Sequence, residues 1–268
     1  MVFSWFGSFG ITSMRDPLHD IGPINVLIPL AGKGERFKDA GYTIPKPLIP
    51  VDGEPMITAS IKSLGLPANS SLIKYIYITL QEHEKLGVTD YLSSVSPGCT
   101  IIQLNTPTEG ALCSALIAEK HINDNKPLLI ANTDQLVNCD ILEILKVLKI
   151  TEACGMLITF ESKVGDKYSF CKVYDEKDDL SAVIEVAEKV KISNIANTGV
   201  YLFNKGSDFV WYGKKSIENN NRYNGEFYIA PMYNELIKAG EMVLSYKCDG
   251  YTCLGDPESL RKYESRCR

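Results

Sequence analysis

Short apolar runs alternate with amphipathic stretches along most of the chain. Asn25–Leu30 (NVLIPL) is continuously apolar and ends in a glycine-rich turn, AGKGERF, the pattern of a buried strand running into a loop. Leu72–Leu80 (LIKYIYITL), rich in isoleucine and tyrosine, predicts a second strand, and Thr100–Leu104 and Pro127–Ala131 a third and fourth. Between the last two, Leu112, Ala115, Leu116 and Ile122 recur near helical spacing, so Ala111–Ile122 reads as a helix. Asp140–Ile150 (DILEILKVLKI) is an amphipathic helix with Asp140 at its start. Met156–Phe160, Ser169–Tyr174, Ser181–Val186 and Asn197–Phe203 predict further strands, and Ile229–Ala239 and Pro257–Arg266 helices. Strands separated by helical segments imply an α/β fold with a mixed, mostly parallel sheet covered by helices on both faces. The crowded strands after residue 155 imply an antiparallel addition.

Composition narrows this picture. With 268 residues, 45% hydrophobic and 23% charged, the chain can bury a core of its own and is too apolar to be disordered. Residues 1–22 read as an N-terminal extension, aromatic but without the basic start of a secretory leader, and 23–268 as a single domain. The net charge of −5 argues against nucleic-acid and anionic-membrane partners, and no apolar run approaches the ~18 residues of a membrane span. Eight cysteines occur without a C-x-x-C pair and mostly in apolar runs, as at Cys113 and Cys154. Buried reduced thiols and a cytoplasmic location are the expectation. His19, His83 and His121 lack metal-ligand spacing, so no structural zinc is expected.

The segment Leu30–Ile57 holds the candidate chemistry. Gly32 and Gly34 follow a predicted strand, and Lys33, Arg36, Lys38 and Lys46 crowd a window where Glu35 and Asp39 are the acids. Glycines there can bring bare N–H groups to a phosphate, or simply turn the chain at a strand end; on the glycines alone both readings stand. A Walker A loop is absent, and the dinucleotide fingerprint fails because Phe37 occupies the third glycine's place. Asp134 ends the apolar strand PLLIANTD, where open α/β sheets present ligands. A carboxylate there suits Mg²⁺, though Asn-Thr-Asp is also turn chemistry.

The longer pattern resembles the signature of sugar-phosphate nucleotidylyltransferases, such as glucose-1-phosphate thymidylyl-, uridylyl- and cytidylyltransferases. It reads Leu30-Ala31-Gly32-Lys33-Gly34-Glu35-Arg36, Pro45-Lys46-Pro47-Leu48, and Pro50-Val51 through Pro55-Met56-Ile57. The likeness extends from about Asn25 to Leu260, through Thr108–Ala111, Ile130–Asp134, Glu188-Lys189, Asn197–Tyr201 and Asn224–Tyr228. It implies a Rossmann-like nucleotide-binding α/β domain with an added sugar-binding portion. It also implies Mg²⁺-dependent transfer of a nucleoside monophosphate from an NTP to a sugar-1-phosphate, with pyrophosphate released. Under that resemblance Leu30, Ala31, Gly32, Gly34, Glu35, Arg36, Lys46, Gly110 and Asp134 bind nucleotide, and Arg36, Lys46 and Asp134 carry the chemistry. Glu188, Lys189, Asn197 and Gly199 hold the acceptor, whereas Tyr201 and Tyr228 are read as core aromatics.

One departure stands out. Cys253 occupies the place of the family's second metal-binding aspartate, and Asp256 that of a threonine. Asp256 either reaches the metal beside Asp134 or caps the helix that begins at Pro257. Two other functions follow from the same residues: cytidylyl transfer to phosphocholine or another phosphorylated alcohol, and a non-catalytic subunit that binds nucleotide or NDP-sugar. Relatives of this kind form homo-oligomers, for which the aromatic N-terminus could supply a contact.

Overall fold

The computed structural model describes residues 16–67, 70–163, 165 and 167–267. Its strands are β1 (Ile24–Pro29), β2 (Pro50–Val51), β3 (Glu54–Pro55), β4 (Ile73–Leu80), β5 (Thr100–Leu104), β6 (Leu128–Ala131), β7 (Gln135–Asn138), β8 (Gly155–Glu161), β9 (Ser169–Val173), β10 (Leu180–Glu188), β11 (Ile195–Phe203), β12 (Val243–Lys247) and β13 (Gly250–Cys253). Nine of them form one sheet in the order β5-β4-β1-β6-β11-β8-β12-β10-β9, while β13 pairs with β7 and β2 with β3.

The sheet is mixed, as expected, but it is not mostly parallel. From β5 to β6 the pairings are parallel, as is β8 with β12. β11 runs against both β6 and β8, and β10 against both β12 and β9. The cause is connection length. The early strands are linked by helical crossovers, as parallel pairing requires, whereas β9 returns to β10 through a short turn that permits only antiparallel pairing. The added antiparallel portion is thus continuous with the main sheet.

Alternation along the central strands divides the interior in two. Leu27, Ile76, Ile78, Leu128 and Ile130 face one cluster, closed by Leu112, Phe209, Met232 and Leu236 from three helices. Val26, Ile28, Tyr77 and Leu129 face the other, closed by Ile57, Leu92, Ile144 and Leu148. Helices therefore cover both faces. Leu18 and Ile21 are buried in the second cluster, so this part of the proposed N-terminal extension packs on the sheet. Residues 1–15 lie outside the described residues. A third, smaller cluster joins Phe37, Ile49, Val51 and Met56 to Leu254 and Leu260 of the C-terminal segment.

Most predicted elements appear within a residue or two of their expected bounds. Asp140 caps the helix Ile141–Thr151 by accepting from Glu143 N–H at 3.0 Å. The single helix expected over Ala111–Ile122 is instead two, Ala111–Leu116 and Glu119–Ile122. The described cysteine side chains are all free thiols, with Cys154, Cys171 and Cys248 buried. No helix among the described residues is long and apolar enough to cross a membrane.

Candidate active site

Because β1 and β6 are parallel neighbours, the loops that leave their carboxyl ends emerge side by side. One carries Gly32 and the other Asp134. β11 runs antiparallel beside β6, with Val200 opposite Ala131, so its opening residues reach the same end. There the β11–β8 register shifts between Asn197 and Tyr201, and Gly199 takes φ +85°. Such a bulge redirects side chains at a sheet's rim. The result is a cleft of about 1280 Å³ lined by Arg36, Asp134, Glu188, Lys189, Asn197, Gly199 and Asp256, together with residues the sequence did not single out.

In the glycine loop, Leu30 and Ala31 are buried and Leu30 N–H donates to the Ile78 carbonyl at 2.6 Å, which fixes the loop's root. The N–H groups of Ala31, Gly32, Lys33 and Gly34 have no acceptor among the described residues. They form a set of donors available to an anion. Gly34 precedes the short helix Glu35–Asp39, whose buried Phe37 anchors the exposed Glu35 and Arg36. Arg36 has no ion-pair partner among the described residues and faces the cleft, whereas Lys38 pairs with Glu82 at 3.8 Å. The basic window is thus partly dispersed.

Lys46 opens a 3-10 turn, Lys46–Leu48, braced by buried Pro47. Its ammonium lies 5.6 Å from the Phe37 ring centroid, donates to Asp134 Oδ2 at 2.7 Å and lies 3.4 Å from the Gly255 carbonyl oxygen. Asp256 faces the same cleft but is committed elsewhere. Its Oδ1 accepts from Ser259 N–H at 2.8 Å, and its Oδ2 takes Lys167 at 2.7 Å and the Ser259 hydroxyl at 2.9 Å. Burial pushes this carboxyl up, but those donors outweigh it and hold the pKa at about 2. The helix-cap reading of Asp256 is the one these contacts describe. Cys253 is half-buried beside Asp134: a β-carbon built on Gly255 would lie 3.0 Å from Asp134 Oδ2 and 3.5 Å from Cys253 Sγ.

No group of three His, Cys, Asp or Glu side chains suited to a metal occurs among the described residues. A single carboxylate at Asp134, 30% exposed, fits a hard divalent ion that arrives on a triphosphate and keeps phosphate oxygens and water as its other ligands. It does not fit an ion held by the protein alone.

At the opposite wall, Asn197 Oδ1 accepts from Gly199 N–H at 2.7 Å. Its Nδ2 is buried without a hydrogen-bond partner among the described residues, as is Nε2 of Gln135. Lys189, with φ +53°, donates to the Tyr228 hydroxyl at 2.7 Å, which donates in turn to Glu226 at 2.6 Å. Tyr228 is thus a wall of the cleft and not a core aromatic, while Tyr201 is buried as expected. Burial raises the Glu188 pKa from 4.5 to about 7, against the pull of Lys189 and with help from Glu226.

A carboxyl raised in this way keeps a proton that the unfolded chain has released. It therefore costs stability progressively as pH rises from the ordinary 4.5 to about 7. Glu188→Gln should gain thermal stability relative to wild type across that window, with a constant gap above it. Melting curves of the two proteins that stay parallel from pH 4.5 to 7.5 would contradict this assignment.

Gly110 lines neither the cleft nor a smaller hollow of about 690 Å³ bounded by Gln103, Thr106, Thr108 and Glu109, but lies in the chain between Glu109 of the hollow and Ala111 of the cleft. It adopts φ +133°, and a β-carbon there would lie 2.3 Å from the Phe227 carbonyl oxygen. Phe227 N–H donates to Glu109 at 2.8 Å and its carbonyl accepts from Leu112 at 3.1 Å, locking the loop to the chain at 227. Gly110→Ala should lower unfolding free energy by about 2–5 kcal/mol, from a disfavoured backbone region plus overlap. Chemical denaturation checks it, and an unchanged midpoint would refute the packing described.

Sequence reading missed Asn132, Gln135 and Lys167, and the ring cluster of Phe160, Tyr168 and Tyr251, in which Phe160 and Tyr251 stack at 4.0 Å. Asn132 and Gln135 flank Asp134 directly, so proximity in the chain was the available signal. Lys167, Phe160 and Tyr168 lie far from Tyr251 in the chain, and the two segments meet only through tertiary packing.

Residues 26–266 match the family model described as nucleotidyl transferase. A UTP–glucose-1-phosphate uridylyltransferase from Haloferax volcanii is 23% identical, covering 91% of this chain and 96% of that protein. The bifunctional protein GlmU of Methanocaldococcus jannaschii is 27% identical over 85% of this chain, which spans half of that longer protein. Among solved structures, a nucleoside-diphosphate-sugar pyrophosphorylase from Vibrio cholerae superposes with a TM-score of 0.74 at 25% identity, covering 89% of this chain and 98% of that one. A UDP-glucose pyrophosphorylase complexed with UDP-glucose gives a TM-score of 0.73 at 17% identity, covering 91% and 98%, a likeness of fold. This chain, whose glycine loop and lysine–carboxylate pair meet at the carboxyl ends of the interior strands β1 and β6, belongs to the nucleotidyl transferase family.

Proposed function

We propose that the protein transfers a nucleoside monophosphate from an NTP to a sugar-1-phosphate, releasing pyrophosphate and forming an NDP-sugar. The observation that carries this reading is the meeting of Lys46 with Asp134 beside the unclaimed amides of Ala31–Gly34. The acceptor phosphate is already an anion, so no covalent enzyme intermediate is required. The protein's task is to hold two mutually repelling anions in line and to neutralise the charge that builds up. The loop amides and Arg36 take the β and γ phosphates, and Lys46 the α-phosphate. Asp134 is the carboxylate for a divalent ion, taken to be Mg²⁺, which when bound shields the phosphates from one another. Lys189 holds the acceptor phosphate, and Glu188, with the free amides of Asn197 and Gln135, receives its hydroxyl groups.

The reading is tested by a matrix of NTPs against sugar-1-phosphates and phosphocholine, with Mg²⁺, monitored for pyrophosphate release. Release confined to sugar-1-phosphate wells supports it. Release confined to phosphocholine favours transfer to a phosphorylated alcohol, and tight nucleotide binding without release in any well favours a non-catalytic subunit.

A further inference from the structure

The C-terminal helix Pro257–Cys267 forms one side of the cleft, and its lining residues fall on a single face, with Lys262 and Arg266 one turn apart. Neither has an ion-pair partner among the described residues. The helix is held firmly. Asp256 caps it, Leu260 is fully buried in the small cluster that also holds Phe37, and the Tyr263 hydroxyl bonds to Asp52. Because Phe37 and Leu260 share that cluster, Arg36 and the Lys262–Arg266 face are fixed on the same rim. Lys163 adds a fourth unpaired cation from the segment after β8. Against these stand Glu161 and Glu258; Asp256 is already neutralised by Lys167. In a chain of net charge −5, this rim carries a local surplus of positive charge. The proposed reaction leaves Lys163, Lys262 and Arg266 unused, since Lys46, Lys189 and the loop amides with Arg36 already serve the α-phosphate, the acceptor phosphate and the triphosphate.

We infer that Lys262 and Arg266, with Lys163, form a second anion subsite that takes an acidic group of the acceptor, a carboxylate or a further phosphate, beyond the phosphate that is nucleotidylated. This rests on the function proposed above. An arginine and a lysine on adjacent turns suit an oxyanion that approaches along the helix face.

The test compares acceptors matched except for a second acid: glucose 1-phosphate with glucose 1,6-bisphosphate and glucuronic acid 1-phosphate, and glycerol phosphate with phosphoglycerate. The wild-type protein should favour the more acidic member of a pair by about tenfold in kcat/KM, the size of two partly exposed charge contacts. The double variant Lys262→Ala/Arg266→Ala should lose that preference while keeping its melting temperature and its rate with the less acidic member. No preference in the wild type, or a preference the double variant retains, overturns the inference. So does a variant that raises only KM for the NTP, which would assign these cations to the triphosphate tail. If no acceptor turns over, the proposed function fails, and the subsite is judged on phosphoglycerate affinity by calorimetry. A Kd raised about tenfold in the double variant upholds the subsite, and an unchanged Kd overturns it.

Discussion

Replacing Lys46 with alanine should lower kcat by about 10²–10³ and leave the protein folded, the usual scale for removing one donor from a preorganised anion site. Several features put this side chain first. It sits between Pro45 and Pro47 on a turn whose backbone is stiffened, so its position is set before any ligand arrives. Its ammonium is held by the Asp134 carboxylate at 2.7 Å, which fixes where the cation sits in the cleft. The side chain is a quarter exposed, so truncation opens no core cavity and the melting temperature should change little. Steady-state kinetics should show the loss in kcat with a smaller change in KM, because the contact strengthens as charge develops on the α-phosphate. A folded Lys46→Ala protein with full turnover would remove the central cation from this account.

Asp134→Asn should be comparably severe, about 10²–10³ in kcat, for a different reason. The substitution preserves shape and the backbone bond from Leu254 N–H at 2.7 Å, but removes the negative charge that suits a divalent ion. The variant should therefore show a weakened dependence on Mg²⁺ concentration as well as a lower rate. It also leaves the Lys46 ammonium without its counter-ion. Because the two groups act as a unit, Lys46→Ala/Asp134→Asn should fall little below the worse single variant. Losses that multiply across the two sites would mean that they act separately.

What could be read from the sequence was decided by locality. The run from Asn25 to Arg36 announces a strand and a glycine-rich loop carrying cations within a few residues, and the structure keeps them contiguous. Asp134 was legible because it ends an apolar strand. The fate of Asp256 was not, since its choice of partner depends on Lys167, 89 residues away in the chain and brought to it only by the tertiary fold. Tyr228 was misread for a related reason: an aromatic beside a predicted helix looks like core until the Lys189 ammonium is seen against it. The helix Gly206–Glu218 escaped notice because two glycines lower its intrinsic propensity and no side chain caps its start. Packing makes it, with Gly213 seated against Leu112 and Leu116. The parallel bias expected of the sheet failed where β11 and β10 reverse, a matter of connection geometry that apolar patterning does not encode.

The central claim is that this cleft joins the α-phosphate of a nucleotide to the phosphate of an acceptor. The most direct measurement is ³¹P NMR of the wild-type protein with Mg²⁺, an NTP and the sugar-1-phosphate selected by the substrate matrix. Loss of the triphosphate resonances should be matched by equal growth of pyrophosphate and of a coupled diphosphate pair from the NDP-sugar. A triphosphate spectrum that stays unchanged with bound nucleotide present, or that decays to nucleoside diphosphate and inorganic phosphate, would contradict it.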